Sequence, residues 1–101
     1  MAQVYILHSI SADRFYIGSC LDINERLIQH NSSFFEKSYT HSFSDWQLYW
    51  LLDHLEYEQA RLIEQHIKKM KSKIYIQNLK RYPEMSEKLI LKYPKVARSS
   101  R

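Results

Sequence analysis

The sequence predicts an α/β (α+β) domain ordered β-β-α-β-α-α, with one three-stranded antiparallel sheet flanked by helices. Three observations lead there. Two short β-branched and aromatic runs open the chain, and the second half carries a helical apolar period. Gly occurs once and Pro twice in 101 residues, too few turn-formers for a many-stranded barrel or sandwich. The length suits one domain, and 45% hydrophobic residues suffice for a core.

The runs Gln3–His8 and Arg14–Ser19, split by a polar segment, read as a hairpin. Tyr5 and Tyr16 share a sheet face in any register with an even loop, and one such register sets them directly opposite. They are then either a packing pair or a functional one. The lone Gly18 marks a place where a side chain is excluded. Asp22 and Glu25 have the spacing of a capping box, opening a helix that runs to about His30-Asn31. Ile23 and Leu27 anchor that helix, and Arg26 and His30, four apart, lie on one face.

Residues 32–45 lack a period and read as a long loop, of the kind that carries function in a small domain. Its aromatics and Lys37 suit nucleic acid, or equally a place in the core. Trp46–Leu55 is the most apolar stretch and reads as a strand buried on both faces, hence central. From Tyr57 to about Lys71, Ala60, Ile63, Ile67 and Met70 form one helical stripe. Glu64 lies at its edge, either a partly desolvated carboxylate, costly unless it is paired or binds a cation, or an exposed residue stabilising the helix through Lys68. A helix over Lys73–Arg81 with Ile74, Ile76 and Leu79 apolar is stopped by Pro83. A last short helix spans Glu84–Lys92, and a basic tail follows.

Charge is divided unevenly. Residues 1–60 carry three basic and eight acidic side chains, and residues 61–101 carry twelve and three. A basic half mixed with Tyr75, Tyr82 and Tyr93 suits a polyanion, although a solvated lysine-rich helix face has the same composition. Lys68, Lys69, Lys71 and Lys73, on or just after the helix of Glu64, are the candidate phosphate contacts. A single Cys20 excludes an intramolecular disulfide and a multi-cysteine zinc site. No apolar run is long enough to span a bilayer and nothing marks the N-terminus for export, so a cytoplasmic, non-membrane protein is expected.

Taken in order, these segments resemble a known family. Val4-Tyr5-Ile6 followed by Tyr16-Ile17-Gly18 is similar to the signature pair of the GIY-YIG nuclease superfamily. Asp22 to Asn31, with Arg26 and His30, resembles that family's first helix. Ser38-Tyr39-Thr40 and Asp45 to Leu48 resemble the approach to its third strand, and Glu58 to Lys68 the helix bearing its metal-binding Glu. The resemblance covers roughly residues 3–82, and it is strongest to small bacterial stand-alone members, which are similar to the nuclease domain of the excision-repair endonuclease. It gives a domain over residues 1–82, with 83–101 as a C-terminal helix and tail. Val4 stands where the first signature carries Gly, which requires ordinary β backbone there. Ser19 and Cys20 stand where some relatives carry Lys or Thr.

The resemblance implies a metal-dependent endonuclease that hydrolyses DNA phosphodiester bonds, in repair or recombination, with one Mg²⁺ or Mn²⁺ ion. Glu64 would hold the ion, since such hard cations need few protein ligands. Arg26 would meet the transition-state charge. Tyr16, Tyr5 or His30 would serve as general base, with Tyr16 placed first. With no second domain in these residues, either DNA shape or a protein partner supplies specificity. The alternative from another class is a nucleic-acid-binding module on the same fold that does not cut.

Overall fold

The computed structural model describes residues 1–31 and 45–94, and the side chains of His30 and Asn31 lie outside that description. The elements are β1 (Ala2–Ser9), β2 (Arg14–Cys20), α1 (Ile23–Asn31), β3 (Trp46–Leu55), α2 (Tyr57–Met70), α3 (Lys73–Arg81) and α4 (Pro83–Lys92). The antiparallel sheet has the order β2-β1-β3. The expected fold class holds. The expected loop, with Lys37, and the basic tail fall outside the described residues apart from Asp45.

The sheet's centre differs from expectation. β1, not β3, is the middle strand, with Val4, Tyr5, Ile6 and Leu7 at most 1% exposed. β3 is an edge strand whose Gln47, Leu48, Asp53 and His54 face solvent. Its pairing with β1 shifts register twice, and His54 adopts a positive φ of 60° beside the second break. Such irregularities blunt an edge that would otherwise recruit another strand. An apolar run alone does not distinguish a central strand from an edge strand that packs on two sides.

Alternation in β1 feeds two cores. Ala2, Val4 and Ile6 pack with Trp50, Leu55 and the Ala60, Ile63 and Ile67 stripe of α2, and with Ile76, Leu79 and Leu89 of α3 and α4. Tyr5 and Leu7 pack on the other side with Cys20, Ile23 and Trp46, against Tyr16, Leu27 and Leu51. Met70 and Ile74, both expected in the apolar stripes, are 44% and 67% exposed, Met70 at the last position of α2 and Ile74 in the first turn of α3.

Local signals set the element ends. Asp22 Oδ1 accepts from the backbone N–H of Asn24 at 3.0 Å and of Glu25 at 3.4 Å, capping α1. α2 begins with a capping box between Glu56 and Gln59 and ends with Lys71 in the left-handed region. Pro83 follows the end of α3 and also occupies the first turn of α4, where its missing N–H costs nothing. Asp45 ties the hairpin turn to β3, accepting from Ser9 Oγ at 2.7 Å and from the Ser11 N–H at 2.8 Å. These bonds hold its carboxyl below the usual carboxylate range.

Gly18 lies opposite Tyr5 in the hairpin. Its φ is not positive, so conformational freedom is not what it supplies. A Cβ there would fall 2.5 Å from the Tyr5 hydroxyl oxygen and 2.7 Å from Cζ. The buried Tyr5 ring lies across the space that the missing side chain leaves. Gly18→Ala must therefore displace a packed phenol and should destabilise by about 1–3 kcal/mol, read from the urea midpoint. An unchanged midpoint would show that the ring moves freely.

Candidate active site

β2 is an edge strand, and α2 runs beside it. Ser19 shares the side-chain parity of Ile17, which packs on the α2 side, and this aims its hydroxyl at α2. Ser19 Oγ donates to Glu64 Oε1 at 2.7 Å. Lys68 Nζ, one turn further along α2, donates to Glu64 Oε2 at 2.7 Å. The Glu64 side chain is 17% exposed and that of Lys68 51%. Both sequence readings of Glu64 thus describe part of the truth: it is largely withdrawn from water and it pairs with Lys68.

Tyr5 and Tyr16 lie on the other face of the hairpin, with α1. The register pairs Tyr5 with Gly18 and Tyr16 with Leu7, so the two tyrosines are diagonal neighbours rather than directly opposite. Their ring centroids are 6.3 Å apart, and Tyr16 also meets Trp46 edge-on at 6.4 Å. Burial pushes the Tyr5 phenol well above its ordinary range. Tyr16, Cys20 and Glu64 add to the rise, and the Arg26 guanidinium opposes it. Tyr16, Arg26 and Glu64 are therefore each within electrostatic reach of Tyr5, but the two tyrosines and Glu64 lie on opposite faces of the sheet.

Two adjoining cavities join the two sides. One of about 320 Å³ is lined by Ser19, Tyr57, Arg61, Glu64, Gln65 and Lys68. The next, about 240 Å³, includes Ser19, Cys20, Arg26 and Tyr57. Ser19 and Tyr57 line both, so the polar cleft of Glu64 adjoins the cavity that Arg26 lines. Arg61 adds a further cation there: Nη1 donates to the Tyr57 hydroxyl at 3.3 Å, and the Glu64 charge helps hold the guanidinium protonated. A larger cavity of about 680 Å³ beside Met1, Leu21 and Leu55 holds neither Glu64 nor Arg26, so the chemistry favours the smaller cleft.

Among the described residues no three His, Cys, Asp or Glu side chains group to hold a metal. The cleft offers one carboxylate, two hydroxyls and an amide, all hard oxygen donors. That set fits Mg²⁺ or Mn²⁺, which retain water and take further ligands from phosphate, and it does not fit a soft-ligand site.

The lysines spread more widely than their sequence proximity suggests. Of those described, Lys68 is the one paired with Glu64. Lys73 opens α3 and donates to Asp13 Oδ2 at 3.0 Å on the hairpin turn. Lys69 lies near His66, whose protonation it and Lys92 disfavour after burial. Lys71 closes α2. Lys37 and the His30 side chain fall outside the described residues, although His30 sits on α1 one turn from Arg26. Ser19, Tyr57 and Arg61 are not among the site residues read from the sequence, where Ser19 figures only as a departure from the family pattern. Strand parity could have aimed Ser19 at α2, and the spacing of Tyr57, Arg61 and Glu64 could have placed them on one helix face.

A family profile described as the GIY-YIG catalytic domain matches residues 1–83. No curated protein and no solved structure matches the chain at a significant level.

Proposed function

The chain belongs to the GIY-YIG catalytic domain family, and from that premise we propose that it is a metal-dependent endonuclease hydrolysing DNA phosphodiester bonds. The observation that carries this reading is the sparsely exposed Glu64 carboxylate in a cleft also lined by Arg61 and Lys68 and continuous with Arg26. When bound, one Mg²⁺ or Mn²⁺ ion polarises the scissile phosphate and stabilises the leaving oxygen. Glu64 holds the ion, and Ser19 fixes the carboxylate's orientation. Arg26 grips phosphate oxygens in a two-pronged fork, strongest when transition-state charge builds.

Tyr16 takes the proton of the attacking water. Its side chain is partly exposed, whereas Tyr5 is 1% exposed and disfavoured as a phenolate, which suits Tyr5 to hold Tyr16 and the phosphate side in place. His30 on α1 is the other base this reading allows. Lys37, Lys68, Lys69, Lys71 and Lys73 contact DNA phosphates, with Lys68 beside the cleft. The work belongs to DNA repair or recombination in the cytoplasm, with DNA shape or a protein partner setting the target. No helix among the described residues is long and apolar enough to cross a membrane.

One observation favours a second reading, a DNA-binding module without cleavage: both Glu64 oxygens already have partners within the protein. Branched, flapped and single-stranded DNA, each incubated with Mg²⁺, Mn²⁺ or chelator over a range of salt, separates the two. The nuclease cuts at least one substrate with metal and none with chelator. Salt-sensitive binding with no cleavage anywhere would establish the module instead.

A further inference from the structure

Glu64 is held from two sides by groups of different mobility. Ser19 sits on a strand, and its short side chain donates to Oε1 from a fixed backbone position. Lys68 reaches Oε2 on a flexible four-carbon stem and is half exposed, so it can leave without disturbing α2. The pair keeps a sparsely exposed carboxylate neutralised, as such a group requires. An ammonium and a divalent cation cannot occupy the same oxygen, because like charges at contact distance repel strongly.

We propose that Lys68 is an exchangeable counter-ion of the Glu64 site: it neutralises Oε2 until a divalent cation takes its place, then turns to a DNA phosphate. This rests on the reading of Glu64 as metal ligand. Ser19 stays bonded throughout, so the carboxylate keeps one orientation across the exchange. Lys68 opposes metal uptake by the protein alone and assists it once phosphates draw the ammonium away. Metal and DNA then bind cooperatively, each raising the affinity for the other by the same factor.

Free Mn²⁺ followed by electron paramagnetic resonance tests this without relying on cleavage. The wild type, Lys68→Gln and Glu64→Gln are titrated with and without a non-cleavable phosphorothioate duplex, circular dichroism having verified their fold. Without DNA, Lys68→Gln should bind Mn²⁺ roughly three- to tenfold more tightly than wild type. The gain in Mn²⁺ affinity on adding DNA should shrink in that variant. Equal or weaker Mn²⁺ binding by Lys68→Gln, with Glu64→Gln inert, overturns the exchange and leaves the proposed function standing. Mn²⁺ binding by Glu64→Gln equal to wild type removes Glu64 as ligand and overturns both.

Discussion

Glu64→Gln is expected to yield a folded protein that binds DNA and cuts none of it. Gln keeps the shape and helix propensity, and its amide oxygen can still accept from Ser19 Oγ. The ion pair with the half-exposed Lys68 is lost, a cost of about 1 kcal/mol or less. One negative charge leaves the cleft and Lys68 is released, so DNA affinity should stay level or rise. Cleavage should vanish at every Mg²⁺ and Mn²⁺ concentration, because among the described residues no other acidic side chain lines the cleft or the cavity beside it. Gel assays across a metal titration read this directly. Metal-dependent cutting by the variant would remove Glu64 from the site.

Tyr16→Phe should lower the cleavage rate by about 10²–10⁴-fold, the usual contribution of a positioned general base. The ring contacts with Tyr5 and Trp46 survive the change, so the melting temperature should move by only a few degrees. Single-turnover kinetics with saturating protein separates a slower chemical step from weaker binding. A Phe variant that cuts at the wild-type rate makes Tyr16 structural and transfers the base to His30.

What could be read from the sequence was local. Asp22 announces the start of α1, the apolar stripe centred on Ile63 announces α2, and Pro83 separates the last two helices, each through neighbours a few positions away. Strand order is a long-range property, and Trp46–Leu55 looked central because its side chains cannot report that β1 sits between the other two strands. Met70 and Ile74 match the helical period, but each stands at a helix end, where fewer neighbours cover it.

The site followed the same division. Tyr5, Tyr16, Arg26 and Glu64 emerged from motifs, but that the tyrosines and Glu64 lie on opposite faces depends on how α1 and α2 pack on the sheet. Ser19 is 45 residues from Glu64, and only the folded chain joins them. The lysines illustrate the converse. Closeness in sequence grouped Lys68 with Lys73, whereas the turn at Lys71 sends Lys73 to Asp13.

The cleft is expected to anchor a divalent cation through Glu64. Anomalous diffraction from crystals equilibrated with Mn²⁺ locates that ion. The predicted result is one anomalous peak at a Glu64 carboxylate oxygen, with water completing most of the coordination. A peak elsewhere, or none at Glu64 at saturating Mn²⁺, would contradict it.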